Sequence, residues 1–262
     1  MTVPDVLSRI VEARRRRYAP AAGGELAAPL ARERAAVLPP THPFLAALAA
    51  RAGRAAIAEV KMGSPRLGSL AGRFDPLRQA AAYAAAGAAA LSVVVEPDFF
   101  FGSWELLARC RAASGLPAIA KDFVVSERQL DQAREAGASA ILLVGALYSG
   151  DELGAWAGAA RERGLAPLVE LHDEADLARL AGAAWELVGV NHRDLRTFEV
   201  DFERGALLAP RLPAGALKVA ESGIARRADV ERLAAAGFDA FLVGESLLLA
   251  EDPGARLGEL FG

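Results

Sequence analysis

One cysteine and three histidines are all that this 262-residue chain offers of the usual soft metal ligands. Cys110 stands alone, so an intramolecular disulfide is impossible and a cysteine-rich metal site is excluded. It falls in a helical stretch, 104–113, where a small buried hydrophobe is the expected role. His42, His172 and His192 are scattered, with no H-E-x-x-H or comparable spacing, so no metal centre is expected. Positive charge is not in excess either. Lys and Arg number 30 against 33 Asp and Glu, a net charge of −3 with a pI near 5.8, which gives no general attraction to nucleic acid or an anionic membrane. An anionic metabolite would need a local cluster of Lys, Arg and backbone N–H groups. Long apolar runs are lacking as well. The longest, 80–95, is broken by Tyr83 and Gly87 and falls short of the roughly 18–20 residues a spanning helix requires. The start, Met-Thr-Val-Pro-Asp, has no basic-then-apolar leader pattern. A cytoplasmic location is expected, with no stable partner and the chain acting as a monomer.

What the chain does have is core. Hydrophobic residues make up 53% and charged residues 24%, enough for one large domain of the length that α/β barrels use. The first 50 or so residues differ from the rest. Val6, Leu7, Ile10 and Val11 recur at helical spacing, followed by Arg14–Arg17, read as the solvated face and last turn of a helix, with an anion-binding patch as the alternative. A Pro/Gly/Ala-rich stretch over 19–43 and a short helix over 44–50 follow. Residues 1–50 are read as an N-terminal helical extension packed on a single domain.

From Ala55 a regular alternation begins. Eight apolar strand candidates lie at 56–60, 90–95, 118–121, 140–144, 167–171, 187–191, 217–220 and 240–243. They are mostly unbroken runs, as parallel strands covered on both faces require. Helical segments separate them, at 76–86, 104–113, 127–136, 151–163, 174–180, 202–208 and 228–236, with a last one at 253–260. Gly87, Gly137, Gly182 and Gly237 each close a helix just before an even-numbered strand, where positive φ is needed. This internal repeat implies paired βα units and a (β/α)8 barrel. An open doubly wound sheet is the alternative, but the Gly-rich fingerprint it usually carries after its first strand is missing.

Polar residues stand at the ends of these strands. Ala-Glu-Val-Lys occupies 58–61, Ala-Lys-Asp 120–122, Val-Glu-Leu-His 169–172, Val-Asn-His-Arg 190–193 and Ala-Glu-Ser-Gly 220–223. A barrel opens its reactive mouth at those carboxyl ends. Residues two apart on a strand share a face, so Glu59 and Lys61 both address the mouth, and Asn191 and Arg193 could do likewise. Lys121, Glu170 and Glu221 end three further strands. A structural ion pair of Lys61 with Glu170 or Glu221, sealing the barrel top, is the plain alternative for any one of them. For two amines and three acids on one rim it is a poor account, because desolvating them costs several kcal/mol each, in order of magnitude, unless they are paired. The stretch Gly63-Ser64-Pro65-Arg66-Leu67-Gly68-Ser69 lacks the lysine of a nucleotide P-loop and reads as a mobile first loop. Glu221-Ser222-Gly223-Ile224 and Gly244-Glu245-Ser246 follow strands seven and eight, the common phosphate site of such barrels.

Taken together, these segments resemble the indole-3-glycerol phosphate synthase family over nearly the whole chain. The matching segments are Ala58-Glu59-Val60-Lys61 with Ser64-Pro65; Leu91-Ser92-Val93 with Glu96 and Phe100-Phe101-Gly102-Ser103; Lys121-Asp122-Phe123; Val169-Glu170; Asn191-His192-Arg193-Asp194-Leu195; Ala220-Glu221-Ser222-Gly223-Ile224; and Val243-Gly244-Glu245-Ser246-Leu247. The resemblance implies a (β/α)8 lyase without metal or cofactor, acting on a small phosphorylated substrate. That substrate is 1-(2-carboxyphenylamino)-1-deoxyribulose 5-phosphate, converted to indole-3-glycerol phosphate, CO2 and water. By motif match Lys121 is the implied general acid, Glu170 the base or proton shuttle and Glu59 a further carboxylate. Lys61 contacts the substrate, including its phosphate, and serves the later dehydration. Asn191, Arg193 and Glu221 are implied positioning and polar-network residues. Ser222, Gly223, Gly244 and Ser246 match the phosphate region, and Ser64, Pro65 and Phe100 the anthranilate side. Two departures stand out: Arg66 where the family commonly has Ser, and Val95 where Thr often precedes the Glu. With no second barrel following Gly262, the single-function form is expected. Phosphoribosylanthranilate isomerase, which would call for a cysteine nearer the first strand, and a catalytically dead scaffold barrel are the competing readings.

Overall fold

Strand-forming runs of Val, Ile, Leu and Ala alternate along this chain with capped helices, and the alternation closes on itself. The computed structural model describes residues 6–19, 36–193 and 199–262. Eight parallel strands form one closed barrel: β1 (Ala55–Val60), β2 (Ala90–Val94), β3 (Ala118–Lys121), β4 (Ala140–Val144), β5 (Ala166–Leu171), β6 (Leu187–Asn191), β7 (Leu217–Glu221) and β8 (Ala240–Val243). Each strand pairs with its neighbours in sequence. Pairing of β8 with β1, from Ala55 opposite Ala240 to Ala58 opposite Val243, shuts the ring. That pairing leaves no free barrel edge and rules out the open doubly wound sheet. The expected strand limits shift by a residue; the largest consequence is that Glu221 lies within β7.

Helices α3 (Pro76–Ala85), α4 (Trp104–Ser114), α5 (Glu127–Glu135), α6 (Gly150–Glu162), α7 (Glu174–Ala178), α8 (Phe202–Leu208) and α9 (Arg227–Ala235) connect the strands, a four-residue α10 (Glu245–Leu248) follows β8, and α11 (Pro253–Phe261) ends the chain. Local chemistry starts and stops them. The Asp75 carboxylate accepts the Leu77 and Arg78 N–H groups at 2.9 and 3.3 Å, and Ser126 with Gln129, like Ser149 with Glu152, forms a capping box. Each satisfies orphan N–H groups of a first turn. Gly87, Gly137, Gly182 and Gly237 all have positive φ, +75° to +99°, as the helix–strand turns require.

Two apolar layers hold the barrel. Outward-facing Leu91, Val93, Ile141, Val169 and Val190 pack under the helices against Leu107, Leu130, Trp156 and Phe238. Inward-facing Ile57, Ile119, Leu168 and Val219 meet Phe44, Leu45 and Leu48 of α2 (Pro43–Ala49). Pro43 at the first turn suits the start of that helix. The second helix of the N-terminal segment thus plugs one end of the barrel.

The first, α1 (Val6–Tyr18), lies at the other end, and here the reading of the arginine run needs correcting. Arg15, Arg16 and Arg17 are exposed, but Arg14 is buried and ion-paired with the buried Asp122. Arg14 falls in phase with Ile10, Val11 and Tyr18, the buried stripe of the helix, so its side chain points inward and needs an acid there. The first βα loop is built as a small antiparallel hairpin, Gly63–Ser64 with Gly68–Ser69. Most of the Pro/Gly/Ala-rich stretch, 20–35, and the motif residues Asp194 and Leu195 lie outside the described residues.

Candidate active site

Polar side chains on β1, β3, β5, β6 and β7 converge on one cavity of about 480 Å3 at the carboxyl end of the barrel. Every residue singled out from the sequence as a site candidate lines it: Lys61, Glu59, Ser64, Pro65, Phe100, Lys121, Glu170, Asn191, Arg193, Glu221, Ser222, Gly223, Gly244 and Ser246 are all in its wall.

At its floor sits a buried charge cluster. The Lys121 ammonium donates to Glu221 Oε2 at 2.9 Å and to Glu170 Oε2 at 3.2 Å. Burial works against the ammonium, but Glu221, Glu170 and Glu59 outweigh it and hold Lys121 firmly protonated. Two carboxylates cannot both ionise freely beside a single buried cation. Burial and the neighbouring Glu170 raise Glu221 to about 7 against the pull of Lys121. Glu170 moves down, because Lys121, His172 and a hydrogen bond with Glu221 overcome its burial. The cluster therefore rests near neutrality, one carboxylate ionised and the other carrying a proton. Gly189 on β6 makes room for it: a Cβ there would strike Glu221 Oε1.

Lys61 pairs with Glu59, two residues back on β1, at 3.1 Å. The pairing foreseen as a structural alternative, Lys61 with Glu170 or Glu221, is not the one formed; Lys121 takes both acids. Asn191 Oδ1 accepts the Arg193 N–H at 3.0 Å and fixes the turn out of β6.

Around the rim, Ser222 and Gly223 both have left-handed backbone, φ +68° and +80°. For a serine that conformation is uncommon and marks a constrained loop. The Ser246 hydroxyl donates to the Ile224 carbonyl at 2.9 Å and ties the loop after β8 to the loop after β7. Glycine is required at 244 because a Cβ would come within 2.5 Å of Glu59 Oε1. Arg66 and Arg193 both reach Glu245, at 2.5 and 3.2 Å, joining the first hairpin to the loop after β8. On the opposite side the Phe100 ring lies 6.2 Å from that of Phe123.

Several contributors went unforeseen. Val6, Leu7 and Ile10 of α1 line the cavity, so the extension forms part of the wall. Asp122, next to Lys121, is gripped by Arg14 and by Gln129 Nε2 at 2.8 Å; the phase of Arg14 within the apolar stripe was the available signal. Glu96, quoted in a motif but given no role, is fully buried and accepts the N–H groups of Asp98, Phe99 and Phe100 at 2.7–3.0 Å. It shapes the turn that presents Phe100. His172 stands behind Glu170, its Nε2 3.3 Å from Glu170 Oε1.

A (β/α)8 barrel with a protonated lysine set against buried carboxylates at its carboxyl-end mouth defines an acid–base barrel enzyme. A family model described as indole-3-glycerol phosphate synthase matches residues 7–260. Relatives carrying that name include one from a Polaromonas species, 43% identical over 263 residues and covering 98% of each chain, and one from Variovorax paradoxus, 42% identical over 270 residues with 99% and 100% coverage. The chain belongs to the indole-3-glycerol phosphate synthase family, decarboxylating lyases of tryptophan biosynthesis. Among solved structures, thiamine phosphate pyrophosphorylase from Pyrococcus furiosus superposes with a TM-score of 0.59 at 14% identity, over 80% of this chain and 95% of that one, a likeness of fold alone. No helix among the described residues is long and apolar enough to cross a membrane.

Proposed function

We propose that this site closes, decarboxylates and dehydrates 1-(2-carboxyphenylamino)-1-deoxyribulose 5-phosphate, with Lys121 as the general acid. The observation that carries this is a protonated, buried ammonium bridging Glu170 and Glu221 within reach of the cavity. The aromatic carbon bearing the carboxylate attacks the ribulose carbonyl, and Lys121 hands a proton to the carbonyl oxygen. The new carbon–carbon bond leaves an iminium-type cation, which takes up the electron pair released as CO2 departs. Loss of the hydroxyl as water then needs an acid and a base. Glu170 is the ionised member of the carboxylate pair and suits the base, while Lys61 and Glu59, paired on β1, supply the second proton-transfer couple.

The phosphate belongs between the loops after β7 and β8, where Gly223, Gly244 and Ser246 share the cavity wall with Lys61 and Arg193. Phe100, Ser64 and Pro65 form the side suited to the aromatic ring, with Ser222 and Asn191 on the polar side. The two rims are thus chemically distinct, and a bipolar substrate can enter only one way round.

The decisive assay incubates purified protein with the carboxyphenylamino-deoxyribulose phosphate, chelator present, and follows indole fluorescence. Product should appear without added metal, and the substrate lacking its phosphate should turn over far more slowly. No fluorescence change at saturating substrate sinks the reading.

A further inference from the structure

We infer that His172 is a positioning residue for this reaction: its imidazolium keeps Glu170 ionised and aimed into the cavity, and supplies the compensating positive charge while Lys121 is without its proton. The inference rests on the role proposed above for Glu170, and it comes from what surrounds that residue on the side away from the substrate.

Once Lys121 gives its proton to the substrate, the floor holds an anionic Glu170 with no ammonium beside it. A buried carboxylate left alone is costly, by several kcal/mol in order of magnitude, and that cost would resist the proton transfer. His172, two residues after Glu170 and just past the end of β5, is placed to relieve it. Its Nε2 lies 3.3 Å from Glu170 Oε1, the oxygen Lys121 does not hold, though without an aligned hydrogen bond. Its Nδ1 lies 3.5 Å from Asp176 Oδ2 on α7. Asp176 is itself fixed: Oδ2 accepts the His172 backbone N–H at 2.8 Å, Oδ1 is ion-paired with Arg179, and its own N–H donates to Asp173 Oδ1 at 3.0 Å. A ring held between two carboxylates can serve both only when both of its nitrogens carry protons.

The remaining charges facing His172 are Glu221 on β7, and Arg204 on α8, whose guanidinium donates to the His172 carbonyl at 3.4 Å. Burial works against the imidazolium, but Asp176, Glu170 and Glu221 prevail and raise its proton affinity above the ordinary histidine value. The pH window follows in sign. The cation is present below that raised value and lost as the pH climbs through it, so kcat falls on the alkaline side.

Two measurements test this. In steady-state kinetics, His172→Gln keeps hydrogen-bonding atoms without the charge. It should leave KM near the wild-type value and lower kcat by about ten- to a hundred-fold, the scale on which a displaced reacting group is felt. It should also remove the alkaline limb expected of the wild type above the ordinary histidine range. Wild-type kcat with an unchanged pH profile overturns the proposal. The second reads charge without activity. The His172 ring resonance, distinguished from those of His42 and His192 by variants of each, is titrated by NMR in the wild type and in Glu170→Gln. The wild-type ring should release its proton above the ordinary histidine range, and at lower pH in Glu170→Gln. A wild-type ring that titrates no higher than an ordinary histidine, or a titration indifferent to Glu170, refutes the pairing whatever the kinetics say. Near-native turnover by Glu170→Gln would instead overturn the role of Glu170 itself and leave the ring titration standing.

Discussion

The two ends of the barrel are made from the same strands, yet they are chemical opposites. Ile57, Ile119, Leu168 and Val219 face inward near the amino ends and are completely buried against the plug of α2. Two residues further along the same four strands, Glu59, Lys121, Glu170 and Glu221 face inward at the carboxyl ends. The pleat delivers both sets to the interior with equal economy. One end therefore stabilises the fold by burying apolar surface, and the other draws on that stability to keep charges out of water. Mutations at the two ends should separate accordingly.

The sharpest break is at the polar end. Lys121→Ala should lower kcat on the order of 10³-fold, within the range lost when a general acid is removed, while its circular dichroism spectrum remains that of the folded barrel. Near-native turnover would end the acid assignment. At the apolar end Phe44→Ala should reverse the pattern. Removing a fully buried ring from the plug should cost about 3–5 kcal/mol in urea unfolding, with kcat per folded molecule unchanged. A large loss of kcat there would mean that the two ends are not separable.

His192, at the exit of β6, tests the boundary between them. Its ring is fully buried, edge-on to Phe202 and Phe238, with Nδ1 2.9 Å from the Glu221 carbonyl. Burial lowers its pKa to about 4, below the value near 6.5 expected of the unfolded chain. The folded state refuses a proton the unfolded chain takes up. Stability from this group is present above pH 6.5 or so and drains away as the pH falls toward 4, by about 3 kcal/mol at most. The stability gap between wild type and His192→Gln, measured by urea unfolding, should narrow over that interval. A gap that stays constant from pH 7 to 4 contradicts it.

Much of this was readable from the sequence, for identifiable reasons. Apolar runs ending in a charge revealed both the strands and the mouth, because a covered strand tolerates a charge only where it meets a cavity. The four helix-closing glycines were readable because positive φ restricts residue choice. What escaped depends on contacts far apart in the chain. Arg14 looked solvated because the run around it is basic, and only the buried Asp122, 108 residues away, explains it. The partner of Lys61 was not readable because side chains that share a mouth can pair in several ways; Glu59, two residues back, is the one it takes. The four-residue α10 is too short to leave a periodic trace. His172 is an ordinary residue at a strand end until Glu170 and Asp176 are seen on either side.

Closure of the ring carries a temporal consequence. The Lys121–Glu221 bridge joins positions 100 apart, and the circle on which both stand is completed only when β8, beginning at Ala240, docks beside β1. A growing polypeptide paused before that stave has been made already contains both amines and all three acids of the mouth, but has no vessel to hold them. Activity should therefore switch on abruptly once β8 has been made, and not by degrees as the earlier staves appear.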